Sequence, residues 1–325
     1  MRAVLCKGFN GPDALVIEEV TRPGIGEDDV RIAVHAASVN FHDLLMVKGL
    51  YQKKLPLPFI AGSEAAGEVI EVGANVTRLH QGDRVALCDY SGAFAGEMAG
   101  KELTAVRLPD GVDYLRAAAL RTTYGTAYYA LVRRAHIKPE EVLLVHGAAG
   151  GLGLAAVDLG RHLGARVIGC VGSDEKMAIV REYGAEYVIN TSTDSVRENV
   201  LELTGGNGAD VILDMVGGDL FDQSLRCINW DGRLLVLGFT SGRIPSIPVN
   251  LVLLKSCFII GVFYFAWMER KPEESRRDLE MLLGWVAEGK IRPHISMTFP
   301  LEQAADAMNL IAARKVMGKV VLRVR

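Results

Sequence analysis

The residues with the clearest chemical meaning lie between Val142 and Gly164, in VLLVHGAAGGLGLAAVDLGRHLG. An apolar, β-branched-rich run, Val142 to Val145, reads as a buried parallel strand. It breaks into Gly147-Ala148-Ala149-Gly150-Gly151-Leu152-Gly153 and resumes as a helix of small residues. Strand, glycine turn and helix together set backbone N–H groups and a helix N-terminus against a phosphate. Ala149, Gly150, Gly151, Leu152 and Gly153 are therefore candidate contacts to a dinucleotide. Gly150 lets the backbone approach a pyrophosphate, and Gly153 lets the helix sit close to the strand. Ala148 stands where the usual G-x-G-x-x-G has its first glycine. The competing reading is a glycine-rich turn with no ligand.

The elements that must position this turn are legible around it. From about Leu115 the chain alternates at βαβ spacing. A helical stretch spans Ala117–Ala135. Strands are expected at 142–145, 166–171, 187–190, 211–214 and 233–237, with one helix after the glycine turn 147–153 and others from Asp174, Thr193 and Leu220. That pattern predicts a doubly wound parallel sheet. Residues 1 to about 120 differ. Short runs at 2–6, 15–20, 29–37, 64–72 and 83–87, broken by Asn10-Gly11-Pro12, Gly73-Ala74-Asn75 and Gln81-Gly82-Asp83, predict a compact barrel-like β domain. Asn40–Gly49 reads as a helical turn and loop. Two amphipathic helices, 274–288 and 301–313, precede a closing strand, 319–324, that returns to the first domain.

Bulk properties bound the function. The 325 residues suggest two domains, and a 50% hydrophobic, 23% charged composition is that of a globular protein. A net charge of −3 gives no electrostatic reason for nucleic acid or an anionic membrane as partner. Five scattered cysteines, Cys6, Cys88, Cys170, Cys227 and Cys257, read as free thiols in a reducing compartment. The start, MRAVLCKGFNGPD, has no apolar h-region, and the most membrane-like run, Cys257 to Met268, is too short to span a bilayer. A cytoplasmic protein is expected.

SVNFHDLLMVKGLY (38–51), GSEAAGEVIEVGANV (62–76), GDRV (82–85), GTAYYAL (125–131), the glycine turn and GKVVL (318–322) occur in an order that resembles the medium-chain dehydrogenase/reductase superfamily. The resemblance is to its zinc-free quinone oxidoreductase, zeta-crystallin-like branch, over nearly the full length. It implies an α/β protein: a GroES-like β-barrel catalytic domain (1–120 and 263–325) and a Rossmann doubly wound parallel-sheet domain (121–262). It also implies a homodimer.

By the same resemblance, Val171 stands where an NAD-preferring enzyme carries its acidic residue for the ribose 2′-OH. Gly172, Ser173 and Lys176 follow, a set that suits a 2′-phosphate and hence NADPH. Asp174 and Glu175 oppose this if turned inward, and Ser173 or Asp174 could instead cap the next helix. Thr191 stands where related reductases often carry a bulkier Tyr or His near the adenosine. Thr126, Gly238, Phe239, Val262, Phe263 and Tyr264 are expected at the cofactor; the aromatic run 263–265 could instead be a subunit interface.

In the zinc-dependent relatives a cysteine replaces Asn40 and a histidine replaces Ser63, so no metal is expected here. Without a Lewis acid, the implied chemistry is hydride delivery to an acceptor that is already electrophilic, a quinone or a conjugated carbonyl. Asn40 is expected as a neutral donor to the cofactor or acceptor oxygen. Tyr51 could supply a phenol hydrogen bond or a stacking face, or pack on Pro56 and Pro58 as a loop aromatic. His35 and His42 read as ordinary strand or loop histidines. The alternatives are an enoyl-CoA or alkenal double-bond reductase and a non-catalytic NADPH-binding protein.

Overall fold

In the computed structural model, which describes residues 1–325, the run Val142–Val145 is a strand near the middle of a six-stranded, all-parallel sheet. Its strand order is Tyr187–Asn190, Arg166–Val171, Val142–Val145, Ala209–Asp214, Ile228–Val236, Phe258–Gly261. From Val142–Val145 the chain winds outward in one direction for two strands. It then returns to Ala209–Asp214 and winds in the other direction. The reversal leaves a topological switch point beside the glycine turn. This sheet forms one unit, Thr123–Trp267.

Side-chain alternation explains why both faces of the sheet are covered. Val142, Leu144, Ile168 and Ile212 pack with Val196, Val200, Phe221 and Leu225 from the helices Val196–Leu203 and Gly218–Cys227. On the opposite face, a Cβ on Gly160 of the helix Gly151–His162 would fall 2.6 Å from Leu143, and one on Gly169 would fall 2.5 Å from Val180. Bulky residues at 160 and 169 would therefore push two helices off the sheet.

The helix expected from Thr193 begins at Val196, because Thr193 and Asp194 both donate their N–H groups to the Asn190 carbonyl. Ser195 is its N-cap, accepting from the Glu198 N–H at 3.3 Å. The stretch expected to be one helix from Ala117 starts instead at Tyr114–Ala118. It continues through π-helical turns, Arg121–Gly125 and Tyr129–Arg134, on either side of Thr126–Tyr128.

The second unit, Met1–Thr122 with Met268–Arg325, is built on strand Asp29–Val39. That strand pairs antiparallel with Glu64–Val72, Glu97–Lys101 and Lys319–Arg323. Arg84–Cys88, Ala105–Arg107 and Ile295–Pro300 extend the sheet to seven strands, and Val16–Glu19, Arg2–Cys6 and Phe59–Ile60 form a smaller one. The α/β fold class expected from the sequence, a GroES-like unit and a Rossmann sheet, is observed. So is the closing strand's return to the first-domain sheet. No helix is long and apolar enough to cross a membrane.

Candidate functional site

The glycine turn is tight and leads straight into a helix. Gly147 adopts φ +62°, which an L side chain rarely tolerates, and its carbonyl accepts from the Gly150 N–H at 3.0 Å. The helix then starts at Gly151, so the N–H groups of Gly151, Leu152 and Gly153 have no intrahelical acceptor. The two later glycines do different work. A Cβ on Gly153 would lie 2.2 Å from the Gly147 carbonyl oxygen, so this residue lets the helix rest on the turn. A Cβ on Gly150 would approach nothing nearer than 3.4 Å, so no packing within the chain requires glycine there. The space over Gly150 is what a pyrophosphate would fill.

Apart from Thr126, which lies in the helical turn Thr126–Tyr128, the candidate cofactor residues of this unit follow the ends of its strands. Ala149 to Gly153 follow strand Val142–Val145, and Gly172, Ser173 and Lys176 follow Arg166–Val171. Thr191 follows Tyr187–Asn190, Gly238 and Phe239 follow Ile228–Val236, and Val262 to Tyr264 follow Phe258–Gly261. All lie at carboxyl ends of parallel strands, the ligand side of such sheets.

Asp174 is not loose among them. Its Oδ1 accepts from Asn190 Nδ2 at 2.8 Å, and Asn190 Oδ1 in turn accepts from the Ser192 hydroxyl at 2.7 Å. The Thr191 hydroxyl donates back to the Val171 carbonyl at 3.1 Å. Thr126 is half-buried, Phe263 is exposed, and Tyr264 is buried with its hydroxyl against the Gly125 backbone. Met215 and Val216, not anticipated from sequence, lie within 3.5–3.8 Å of a Cβ built on Gly147. Asp214 Oδ1 fixes their loop by accepting from the Val216 and Gly217 N–H groups, both at 2.9 Å.

In the other unit, one end of the seven-stranded sheet collects Asn40, Ser63, Glu64 and Lys319. Helix Phe41–Val47 starts there with Asn40 as N-cap, whose backbone N–H donates to Asp43 Oδ2 at 2.8 Å. Lys319, only 5% exposed, donates to the Val39 carbonyl at 2.9 Å and to Asn40 Oδ1 at 2.5 Å. Asn40 Nδ2 makes only long contacts, 3.3 Å to the Ser38 carbonyl and 3.4 Å to Glu64 Oε2. Glu64 Oε1 accepts from the Thr122 N–H at 3.0 Å.

His42 Nε2 lies 2.7 Å from Ser63 Oγ, and the His42 ring is 5.7 Å from the Tyr51 ring. His42 and Lys319 were not singled out as functional residues from the sequence; a lone histidine and a strand lysine carry no spacing signal.

Electrostatics follow from burial. Desolvation pushes the Lys319 ammonium below its ordinary pKa, against the opposing charges of Glu64 and Asp43. Desolvation and the Lys319 charge hold His42 below the ordinary imidazole value, against Asp43 and Glu64. Burial raises the Tyr51 phenol, which stays protonated and able to donate, and raises the Cys88 thiol.

Comparison with known proteins matches residues 26–110 to the alcohol dehydrogenase GroES-like domain and residues 151–283 to the zinc-binding dehydrogenase family. The chain is 41% identical over 328 residues to a Nematostella vectensis quinone oxidoreductase-like protein 2 homolog, covering 100% of this chain and 89% of the relative. Among solved structures, Escherichia coli quinone oxidoreductase complexed with NADPH superposes with a TM-score of 0.93 at 30% identity, covering 100% of both chains. A 2-haloacrylate reductase superposes with a TM-score of 0.87 at 34% identity, again over 100% of both chains. With both domains matched and this identity sustained along its whole length, the chain belongs to the quinone oxidoreductases of the medium-chain dehydrogenase/reductase superfamily.

Proposed function

We propose that the protein is an NADPH-dependent reductase that delivers hydride to quinones without a metal. The observation that carries the cofactor is the ribose position. Val171, an apolar residue, stands where an acidic one would bind a 2′-OH. Ser173 and Lys176 follow, and the nearby Asp174 carboxylate is engaged by Asn190. The E. coli relative, complexed with NADPH, supports the same reading.

The helix N–H groups of Gly151, Leu152 and Gly153 would hold the pyrophosphate, with Ser173 and Lys176 at the 2′-phosphate. Thr126, Thr191, Gly238, Phe239, Val262, Phe263 and Tyr264 would complete the cradle. When bound, the reduced nicotinamide supplies the hydride. Asn40 has its carbonyl held by an ammonium and its Nδ2 in long contacts only. That amide keeps capacity to donate to an oxygen on which negative charge develops. Tyr51, protonated and buried, supplies a phenol or a ring face.

The donor set does not fit zinc. Asn40 Oδ1 is taken by Lys319, Ser63 Oγ by His42, and no three His, Cys, Asp or Glu side chains are grouped to hold a metal. The five cysteines are buried and free, which suits a cytoplasmic enzyme. A homodimer completes the proposal.

The test is oxidation of NADPH, with NADH in parallel, against 1,4-benzoquinone, 9,10-phenanthrenequinone, an alkenal, an enoyl-CoA and a simple ketone. Turnover of the quinones with NADPH and not of the ketone is expected. Preference for the alkenal or the CoA ester would move the substrate to the carbon–carbon double bond of a conjugated carbonyl, a reading the 2-haloacrylate reductase likeness favours. NADPH binding with no turnover of any acceptor would refute the catalytic reading.

A further inference from the structure

Asn190 closes the strand Tyr187–Asn190 beside Val171, its in-register neighbour on Arg166–Val171. The residue is only 4% exposed, and both ends of its amide are engaged. Oδ1 accepts from the Ser192 N–H at 3.0 Å and from the Ser192 hydroxyl at 2.7 Å. Nδ2 donates to Asp174 Oδ1 at 2.8 Å. A backbone N–H only donates and an ionised carboxylate only accepts. The amide therefore has one orientation, with its donor toward Asp174. The Thr191 N–H and hydroxyl both donate to the Val171 carbonyl, at 2.8 and 3.1 Å, so the two strand ends are bound to each other.

Asp174, by contrast, is exposed, three residues beyond Val171. Helix capping does not account for it. Ser173 makes no side-chain capping bond, and Asp174 reaches out of its own turn to the end of the next strand. A Cβ on Gly172 would meet nothing within 4 Å, so the chain leaves open space at the residue between Val171 and Ser173. A carboxylate that reaches such a space has two effects. It accepts from a ribose 2′-OH, and it repels a 2′-phosphate.

Resting on the NADPH reading above, we propose that Asn190 is a specificity-determining residue, which holds the Asp174 carboxylate at the end of the neighbouring strand and away from the ribose. Asn190 acts through Asp174 and does not touch the cofactor itself. Val171 withholds an acidic group at its own strand end, and Asn190 withholds the one that follows. Without the Asn190 donor, the Asp174 carboxylate turns to the 2′ position, where it favours NADH and opposes NADPH. The chain thus carries the acidic group of an NADH site, kept out of use by one amide.

The experiment measures dissociation constants for NADPH and NADH by fluorescence titration, with no acceptor present. It compares wild type, Asn190→Ala, Asp174→Asn and the double variant. Because Asp174 is exposed, its charge acts through a screened interaction, and Asn190→Ala should lower the preference for NADPH about fivefold. The loss should fall on NADPH, with NADH affinity unchanged or raised. In the Asp174→Asn background the same Asn190→Ala step should change the preference by less than about twofold. A purely structural role for Asn190 would persist there, because Asp174→Asn removes the charge and keeps an acceptor for Nδ2. Asn190→Asp keeps the acceptor that Ser192 uses and loses the donor to Asp174, so it tests the donor alone if Asn190→Ala unfolds. It should shift the preference in the same direction. No shift in either variant, or a shift that survives in the Asp174→Asn background, would overturn the proposal. In both cases a wild type that binds NADPH more tightly than NADH leaves the cofactor reading intact. Equal wild-type affinities would sink that reading and this inference with it.

Discussion

At the scale of single residues, the two glycines of the turn separate packing from binding. Gly153→Ala would drive a methyl group to 2.2 Å from a backbone oxygen. The variant should lose about 1–3 kcal/mol of stability, measured by denaturant unfolding. Gly150→Ala meets nothing closer than 3.4 Å at an ordinary φ of −73°. It should unfold within about 1 kcal/mol of wild type and yet bind NADPH at least roughly tenfold more weakly, because the methyl occupies the pyrophosphate's approach. Lys176→Glu should raise KM for NADPH and leave KM for NADH nearly unchanged. Equal effects on both would remove Lys176 from the 2′-phosphate.

The packing role of Gly153 could be read in sequence because the spacing itself carries it. Lys319 and His42 could not. Lys319 meets Asn40 only because Val320 is in register with Val39, and Ser63 lies 21 residues from His42. Pairings of that kind exist only after the sheet has formed.

At the scale of elements, buried parallel strands are the most legible feature, since both faces must be apolar and turn residues bound them. Val142–Val145, Arg166–Val171 and Tyr187–Asn190 match their expected limits. Glu97–Lys101 was not anticipated: its glycine and its charged ends obscure the alternation, and its pairing with Asp29–Val39 supplies the reason it is extended. The π-helical turns after Arg121 were likewise hidden, because i→i+5 bonding, such as Ala135 N–H to the Ala130 carbonyl at 2.9 Å, has no compositional mark.

One ion pair ties elements of the parallel sheet together. Arg233, on strand Ile228–Val236, donates to both carboxylate oxygens of Glu141, at 3.0 and 2.6 Å, just ahead of Val142–Val145. Burial alone would raise the Glu141 pKa, but bonds from Arg233 and the Lys138 N–H outweigh it and hold it low. The native state thus releases this proton more readily than the unfolded chain. The pair's stabilisation is full above the ordinary carboxyl value of about 4.3 and is lost as pH falls through the depressed native value. Glu141→Gln should cost about 1–3 kcal/mol at pH 7. Its stability difference from wild type should shrink when melting is repeated near pH 3.

At the scale of the whole molecule, one run of exposed apolar residues lies between Val249 and Phe258. Val249, Leu253 and Leu254 lie on helix Val249–Lys255, where Leu253 is 79% exposed. Phe258 begins the outermost strand of the six-stranded sheet. An open strand edge flanked by apolar side chains suits a second copy paired edge to edge about a two-fold axis. Sedimentation should report twice the mass of one chain, and Leu253→Glu with Phe258→Glu should halve it. A wild type that sediments as a monomer at micromolar concentration would refute the dimer.

The return of strand Lys319–Arg323 to Asp29–Val39 also sets a timetable. Thr123–Trp267 is one uninterrupted segment, whereas the other unit is assembled from two segments on either side of it. The Lys319–Val39 contact closes a loop of 280 residues. Closing so long a loop is entropically far cheaper once the intervening segment has collapsed into a small folded body. The parallel sheet is therefore expected to form first in refolding, acting as the clasp that shortens the path between the two halves of the other unit. Asn40 and Lys319 can meet only at the end of that sequence. The polar cluster assigned to catalysis is then the last part of the protein to exist.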